Sequence, residues 1–210
     1  MDQSISYCSG MQPSASGYLY LIIGPMFAGK SSKLIRLIQQ FRLEQVSLLV
    51  IKHSFDNRYN GVNYICSHDP SNGQEPCQHT NTLLNYNTRQ DYNDAQIIII
   101  EEAQFFGNDL IDFCSHAIDI DNKYVIVSGL SGTYKRETFG CILNLIPLAD
   151  KIDKLESYCD FCLETDSKIP ASFTLKYQTN NLVSSDIEVG DSELYKPVCR
   201  KHYNQHNKYC

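Results

Sequence analysis

Tyr18-Leu-Tyr-Leu-Ile-Ile-Gly24-Pro25-Met26-Phe27-Ala28-Gly29-Lys30-Ser31-Ser32 is the stretch on which the fold turns. Its first six residues are apolar on both faces, which suits an inner strand of a parallel sheet. Beyond Ser31 and Ser32, the residues Leu34, Leu37, Ile38 and Phe41 recur at helical spacing. The segment joining strand to helix, Gly24–Ser31, satisfies G-x4-G-K-[ST] in the context that motif requires. Gly24 and Gly29 allow the tight turns that aim successive backbone N–H groups at phosphate oxygens. The helix start adds its partial positive charge, Lys30 offers an ammonium to the β- and γ-phosphates, and Ser31 offers a hydroxyl to Mg²⁺. Gly24 through Ser32 is therefore the expected loop for the phosphates of a nucleotide.

Three further apolar runs, Leu48–Ile51, Ile97–Ile100 and Tyr124–Val127, read as inner strands, and Asp109–Ala117 as a second, weaker helix. Strand alternating with helix predicts an α/β domain over residues 17–155. Residues 1–16 read as a disordered tail, 59–92 as an irregular excursion with room for an edge hairpin, and 206–210 as a C-terminal tail. The Ile strand runs directly into Glu101 and Glu102. Adjacent strand residues point to opposite sides, so the two carboxylates divide the work: one faces Mg²⁺, the other the acceptor.

Across the 210 residues, 18 basic side chains stand against 24 acidic ones, a net charge of −6. That balance offers no broad cationic face for nucleic acid. The N-terminal residues lack the apolar run of an export signal, and no apolar stretch is long enough to span a bilayer. A soluble, cytoplasmic protein is expected, with neither nucleic acid nor membrane as partner. Of the nine cysteines, Cys159 and Cys162 form one close pair, and Cys199 with His202 forms another. Two such knuckles can close a tetrahedral, structural Cys₃His zinc site around the loop 163–198. A redox pair or two disulfides are the alternatives, although a redox pair normally opens a helix after a strand and this pair is not expected to. Cys114 and Cys141 read as small core residues, and the remaining histidines, His53 among them, carry no ligand-like spacing.

The chain resembles the type II thymidine kinases, a family of cellular and poxviral enzymes, through LIIGPMFAGKSS, VIKHSFDNRY, EEAQFF, LSGTYKRETFG with ILNLIPLAD, and SELYKPVCRKHY. The resemblance implies a RecA-like P-loop parallel-sheet domain with a small zinc-clamped lasso domain over residues 156–205. It implies transfer of the γ-phosphate of ATP to the 5′-hydroxyl of thymidine, with deoxyuridine as a second substrate. It makes Glu102 the base, with Lys30 and Arg58 beside it and Asp56 as the companion of Arg58. Ser31 and Glu101 become the magnesium residues. Met26, Phe105, Leu130, Thr174 and Tyr195 become walls of the thymine pocket, Tyr134, Arg136 and Phe139 its covering loop, and Ile187, Glu188, Val189 and Gly190 the lasso that bonds the base. A homotetramer and feedback inhibition by thymidine triphosphate are further implications. The chain departs from the family pattern at Glu101 and Ser131, where aspartate is usual, and at Ala103 and Lys176. A DNA-dependent RecA-type ATPase and a catalytically silent nucleotide sensor are the competing readings.

Overall fold

The computed structural model describes residues 16–55, 63–67, 71, 73–177 and 194–206. Asp56, Arg58, His68, Cys8, Cys210 and the lasso Ile187–Gly190 lie outside the described residues. The chain opens with β1 (Tyr18–Gly24), α1 (Lys30–Leu43) and β2 (Leu48–His53). After β3 (Tyr64–Cys66), β4 (Gln74–Pro76), β5 (Gln78–Thr80) and α2 (Gln90–Asp94) come β6 (Ile97–Glu101), α3 (Asp109–Asp119) and β7 (Tyr124–Leu130). β8 (Lys151–Lys154) completes a six-stranded sheet in the order β5-β2-β6-β7-β1-β8. Every pairing in it is parallel.

The apolar runs alternate between two cores, as period-two side chains must. Tyr20, Ile22, Val50, Ile99 and Ile126 face α1 and meet its Leu34, Ile35, Ile38 and Phe41. Leu19, Leu21, Ile51, Ile98, Ile100 and Val127 face the other way, onto Leu110, Phe113 and Cys114 of α3. The sheet is thus covered on both sides, and the helix over 109–119 is as amphipathic as its neighbour.

Two strands lie outside the sequence expectation, and both are edges. β5 and β8 carry polar or charged residues at alternate positions, so they lack the apolar signature of the inner four. β8 is held by specific polar contacts instead. Asp150 accepts the Leu19 N–H at 2.7 Å, and Asp153 accepts both the Tyr20 hydroxyl, at 2.5 Å, and the Lys33 ammonium.

The excursion is more ordered than its composition suggests. β3 and β4 form an antiparallel hairpin apart from the main sheet. It rests on α1: Ile65 is fully buried in the α1 core, Arg42 pairs with Glu75 at 3.1 Å, and the Ser32 and Ser67 hydroxyls lie 2.6 Å apart. Cys141 is a second correction, since it is half-exposed beside Asn108 rather than in the core, whereas Cys114 is fully buried.

The C-terminal part is a small lobe: β9 (Ser157–Tyr158) pairs with β10 (Pro170–Ala171), β11 (Phe173–Lys176) with β12 (Tyr195–Val198), beside α4 (Asp160–Leu163) and α5 (Arg200–His206). Its core holds the cysteines Cys159, Cys162 and Cys199 with Ala171, Leu175, Val198 and Tyr203.

The Ile65 anchor is testable. Ile65→Ala should lower the unfolding free energy in urea by about 2–5 kcal/mol, the usual loss for truncating a buried isoleucine. It should also speed protease cleavage within 63–77. An unchanged midpoint would mean the hairpin does not depend on α1.

Candidate active site

The phosphate loop hangs between β1 and α1 in a shape few sequences tolerate. Phe27 and Gly29 both have positive φ, 62° and 77°, which turns backbone N–H groups toward a common centre. At Gly24 the constraint is proximity, because a Cβ there would stand 2.7 Å from the carbonyl oxygen of Leu155. No side chain caps α1 and no acid lies in its first turn, so that end of the helix presents its N–H groups and partial charge to an anion. Lys30 donates from Nζ to the Pro25 carbonyl at 2.7 Å, which keeps its ammonium at the loop. Ser31 follows it at the start of α1, and Ser32 is the residue bonded to the hairpin.

β6 separates the two carboxylates as the alternation requires. Glu101 shares the face of Ile97 and Ile99, the α1 face, and is buried there with its Oε2 3.7 Å from Lys52 Nζ in the neighbouring strand. Lys52 went unread in the sequence, although a lysine directly after the apolar run Leu48–Ile51, much as Glu101 follows Ile97–Ile100, was a legible signal. Glu102 leaves the strand with φ 55° and enters a 3₁₀ turn over Ala103–Phe105. Its Oε2 accepts from Gln104 Nε2 at 2.6 Å.

Several of the residues expected around the acceptor meet one another in pairs. Gly24 is in register with Leu130, and Ser131 N–H donates to the Gly24 carbonyl at 3.1 Å. Met26 N–H donates to Thr174 Oγ1 at 3.0 Å, joining the phosphate loop to β11. The rings of Phe105 and Phe139 meet edge to face at 5.4 Å, and those of Tyr134 and Tyr195 lie 6.4 Å apart. Gln104, Phe105, Tyr134 and Phe139 line a cleft of about 470 Å³, within the range of small-molecule sites, whereas Met26, Leu130, Thr174, Tyr195 and Glu102 are not among its lining residues. His53, unassigned by spacing, packs its ring against Phe105 and Phe106 and accepts the Phe55 N–H on Nδ1. Burial holds its pKa below the ordinary histidine value, with the Asn81 backbone and nearby Asp109 and Glu102 opposing.

The covering loop is anchored without the aspartate usual at position 131. Thr133 Oγ1 accepts from the N–H groups of Lys135 and Glu137, and Thr133 N–H donates to the Glu137 carbonyl. Arg136, at φ 63°, lays its guanidinium 4.1 Å over the ring of Tyr203, and the Tyr203 hydroxyl donates to the Tyr134 carbonyl at 2.7 Å. The loop is thereby fastened to α5, the helix that carries His202.

Cys159, Cys162, Cys199 and His202 bring their ligand atoms within 4.8 Å of one another. The three sulfurs stand 3.3, 3.4 and 3.4 Å from His202 Nδ1, and Cys162 Sγ lies 3.9 Å from Cys199 Sγ. Ligands of a tetrahedral zinc, bound at about 2.0–2.3 Å, stand roughly 3.3–3.8 Å from each other, so the donor set and its spacing fit Zn²⁺. Burial, then the neighbouring Cys159 and Cys199, push the Cys162 thiol up to about 12. A bound divalent cation inverts that balance by deprotonating its thiols. Cys159, Cys162 and Cys199 are free thiols, which sets aside a disulfide among them, whereas Cys159 does open the short α4 directly after β9, contrary to the sequence expectation.

A phosphate loop closing the carboxyl edge of a parallel sheet, with acidic residues at the end of the next strand but one, defines a P-loop nucleotide-binding protein of the α/β class. Comparison with known proteins narrows the class. The chain belongs to the thymidine kinase family, whose profile, described as thymidine kinase, matches residues 17–203. It is 39% identical over 196 residues to a thymidine kinase of Oryza sativa subsp. japonica, covering 91% of this chain and 68% of the relative. Thymidine kinases of two entomopoxviruses are similar over nearly their whole length. That of Choristoneura fumiferana entomopoxvirus is 38% identical over 189 residues, covering 89% of this chain and 96% of the relative. That of Amsacta moorei entomopoxvirus is 41% identical over 187 residues, covering 88% and 96%.

The metal fit sets an expectation for the purified protein: about one zinc per chain by elemental analysis. Cys162→Ser should lose that zinc and lower the thermal midpoint. A zinc-free wild type of equal thermal stability would refute the assignment.

Proposed function

We propose that this protein is a thymidine kinase that moves the γ-phosphoryl group of ATP to the 5′-hydroxyl of thymidine. One observation carries the reading. The phosphate loop follows β1, Leu130 ends β7 and Glu102 follows β6, and these three strands are consecutive neighbours in the sheet. Donor phosphates, acceptor wall and carboxylate therefore share one edge.

In this scheme Gly24–Ser32 cradle the triphosphate and Lys30 turns from Pro25 to the β- and γ-oxygens. Ser31 and Glu101 supply the hard oxygen ligands that Mg²⁺ takes, and Lys52 balances the charge of Glu101. Mg²⁺ on the β- and γ-phosphates would neutralise charge that develops during transfer. Glu102 accepts the 5′-hydroxyl proton as the new O–P bond forms and the bond to ADP breaks. Arg58 belongs beside the transferred group.

Met26, Phe105, Leu130, Tyr134, Phe139, Thr174 and Tyr195 wall the thymine, whose polar edge meets backbone groups of Ile187, Glu188, Val189 and Gly190. A base gripped by backbone donors and acceptors excludes purines and 4-aminopyrimidines, because either leaves buried polar groups unpaired. Deoxyuridine, lacking only a methyl, is admitted as a weaker substrate. Thr174 accepts from Met26 N–H and keeps its own hydroxyl proton to donate. We further assign the phosphate-loop unit to residues 17–155 and the zinc lobe to 156–205. A cytoplasmic homotetramer inhibited by thymidine triphosphate, which would span both subsites, completes the proposal. Among the described residues no helix is long and apolar enough to cross a membrane.

Transfer of labelled phosphate from ATP to each of the four deoxynucleosides tests the reading. Thymidine should be the preferred acceptor, and Glu102→Gln should cut kcat by about 10²- to 10⁴-fold while ATP still binds. Hydrolysis of ATP stimulated by DNA, without thymidine, would point to the RecA-type ATPase instead. ATP binding with no transfer to any nucleoside would leave only a sensor.

A further inference from the structure

The carboxylate assigned as base is half-buried and sits on a backbone turn with positive φ, a place where a side chain is easily misdirected. What fixes it is Gln104, two residues on and 2% exposed. Its side-chain amide is used at both ends. Oε1 accepts the N–H of Leu130, the last residue of β7, at 3.0 Å, and Nε2 donates to Glu102 Oε2 at 2.6 Å. The amide has only one sensible orientation, because the Leu130 N–H requires the oxygen on its side, which leaves the NH₂ group for the carboxylate. The backbone around it is shaped to admit this side chain. A Cβ at Gly129 would stand 2.5 Å from Gln104 Oε1, and one at Gly140 would stand 2.1 Å from the Gln104 carbonyl oxygen. Two neighbouring segments, the end of β7 and the end of the covering loop, can approach only because they are glycine where they meet Gln104.

We propose that Gln104 is the positioning residue of the reaction, an amide strut that ties the Glu102 carboxylate to the Leu130 backbone and so sets the base at a fixed distance from the acceptor wall. This rests on the reading of Glu102 as the base. The strut explains how a flexible carboxylate on a turn holds near-attack geometry: a charge-assisted hydrogen bond selects one rotamer, and a buried, bidentate amide transmits the position of β7 to it. It also separates the two acids by their partners. Glu101 faces the cation Lys52, whereas Glu102 accepts from the neutral amide of Gln104.

Two substitutions probe the strut. Gln104→Met keeps the volume and removes both hydrogen bonds; Gln104→Glu keeps the acceptor for Leu130 N–H but turns a carboxylate toward Glu102. Each should lower kcat for thymidine about 10- to 100-fold, the factor associated with one hydrogen bond to a charged group, with Gln104→Glu at least as impaired. The KM for ATP and the bound zinc should stay as in the wild type, since neither site touches Gln104. The decisive reading is the pair with Glu102→Gln. If Gln104 acts through Glu102, then Gln104→Met should add almost nothing to the loss already caused by Glu102→Gln. A further tenfold loss in that background, or a rise in the KM for ATP matching the fall in kcat, would show that Gln104 merely supports the fold. Should Gln104→Met fail to fold, Gln104→Glu decides alone, because wild-type kcat in that variant overturns the proposal. Wild-type turnover by Glu102→Gln would instead remove the base assignment, and the strut with it. Loss in Glu102→Gln beside full activity in both Gln104 variants would overturn the strut only.

Discussion

Everything at the site hangs on the parallel pairing of β1 with β7. Register places Gly24 opposite Leu130, and one hydrogen bond, Ser131 N–H to the Gly24 carbonyl, closes the pair where both strands end. From that point the chain turns one way into the phosphate loop and the other way into the covering loop. The pairing works only with a residue lacking Cβ at position 24, since Leu155 brings its carbonyl there from the exit of β8. Parallel strands must all end on the same edge, and the crossover helices must cover both faces. A sheet of this kind therefore gathers the ends of β6, β7 and β1 without any long-range design beyond hydrophobic burial.

A buried ion pair on that edge needs a reason, because desolvating two charges commonly offsets their attraction. Lys52 and Glu101 have side chains only 4% exposed and sit 3.7 Å apart in adjacent strands. Apolar residues in their place would extend the α1 core without loss. A pair retained here makes sense if the carboxylate answers a second cation when nucleotide arrives, with Lys52 holding the charge meanwhile. The extra methylene of glutamate, where the family usually has aspartate, supplies reach toward Lys52. Under the proposed reading the metal side of the site is modulated, not abolished, by that departure.

Much of this was legible in the sequence, and the gaps have physical causes. Inner strands announce themselves because burial on both faces demands unbroken apolar runs, as in Ile97–Ile100. The edge strands β5 and β8 are buried on less of their surface and held by contacts such as Asp153 with Lys33 and Tyr20, which leave no periodic trace. The β3–β4 hairpin was legible only as room for an edge hairpin, for a similar reason: of its described residues only Ile65 enters the apolar core, and Glu75 to Arg42 and Ser67 to Ser32 fasten it. The four metal-ligand positions were readable because coordination fixes residue type and local spacing together. Gln104 was not, since its meaning lies in a backbone N–H on another strand, and an N–H leaves no mark on the sequence.

Among the described residues, the C-terminal lobe holds both the phosphate loop and the Tyr134 loop that lines the cleft. Thr174 on β11 holds Met26 of the phosphate loop, while Tyr203 on α5 holds Tyr134 and stacks under Arg136 of the covering loop. Tyr203 directly follows His202, and β12, which pairs with β11, runs into Cys199. A metal bound by Cys159, Cys162, Cys199 and His202 would therefore fix more than the ends of a coreless loop. It would set the distance between the phosphate loop, reached through β11, and the Tyr134 loop, reached through α5 and through Tyr195 of β12. The lobe's own buried core is small, and three of its seven residues are Cys159, Cys162 and Cys199. Under the zinc reading, coordination would add to packing in holding Thr174 and Tyr203 in place. A site called structural by its full set of protein ligands can in this way govern how tightly the cleft closes on its acceptor.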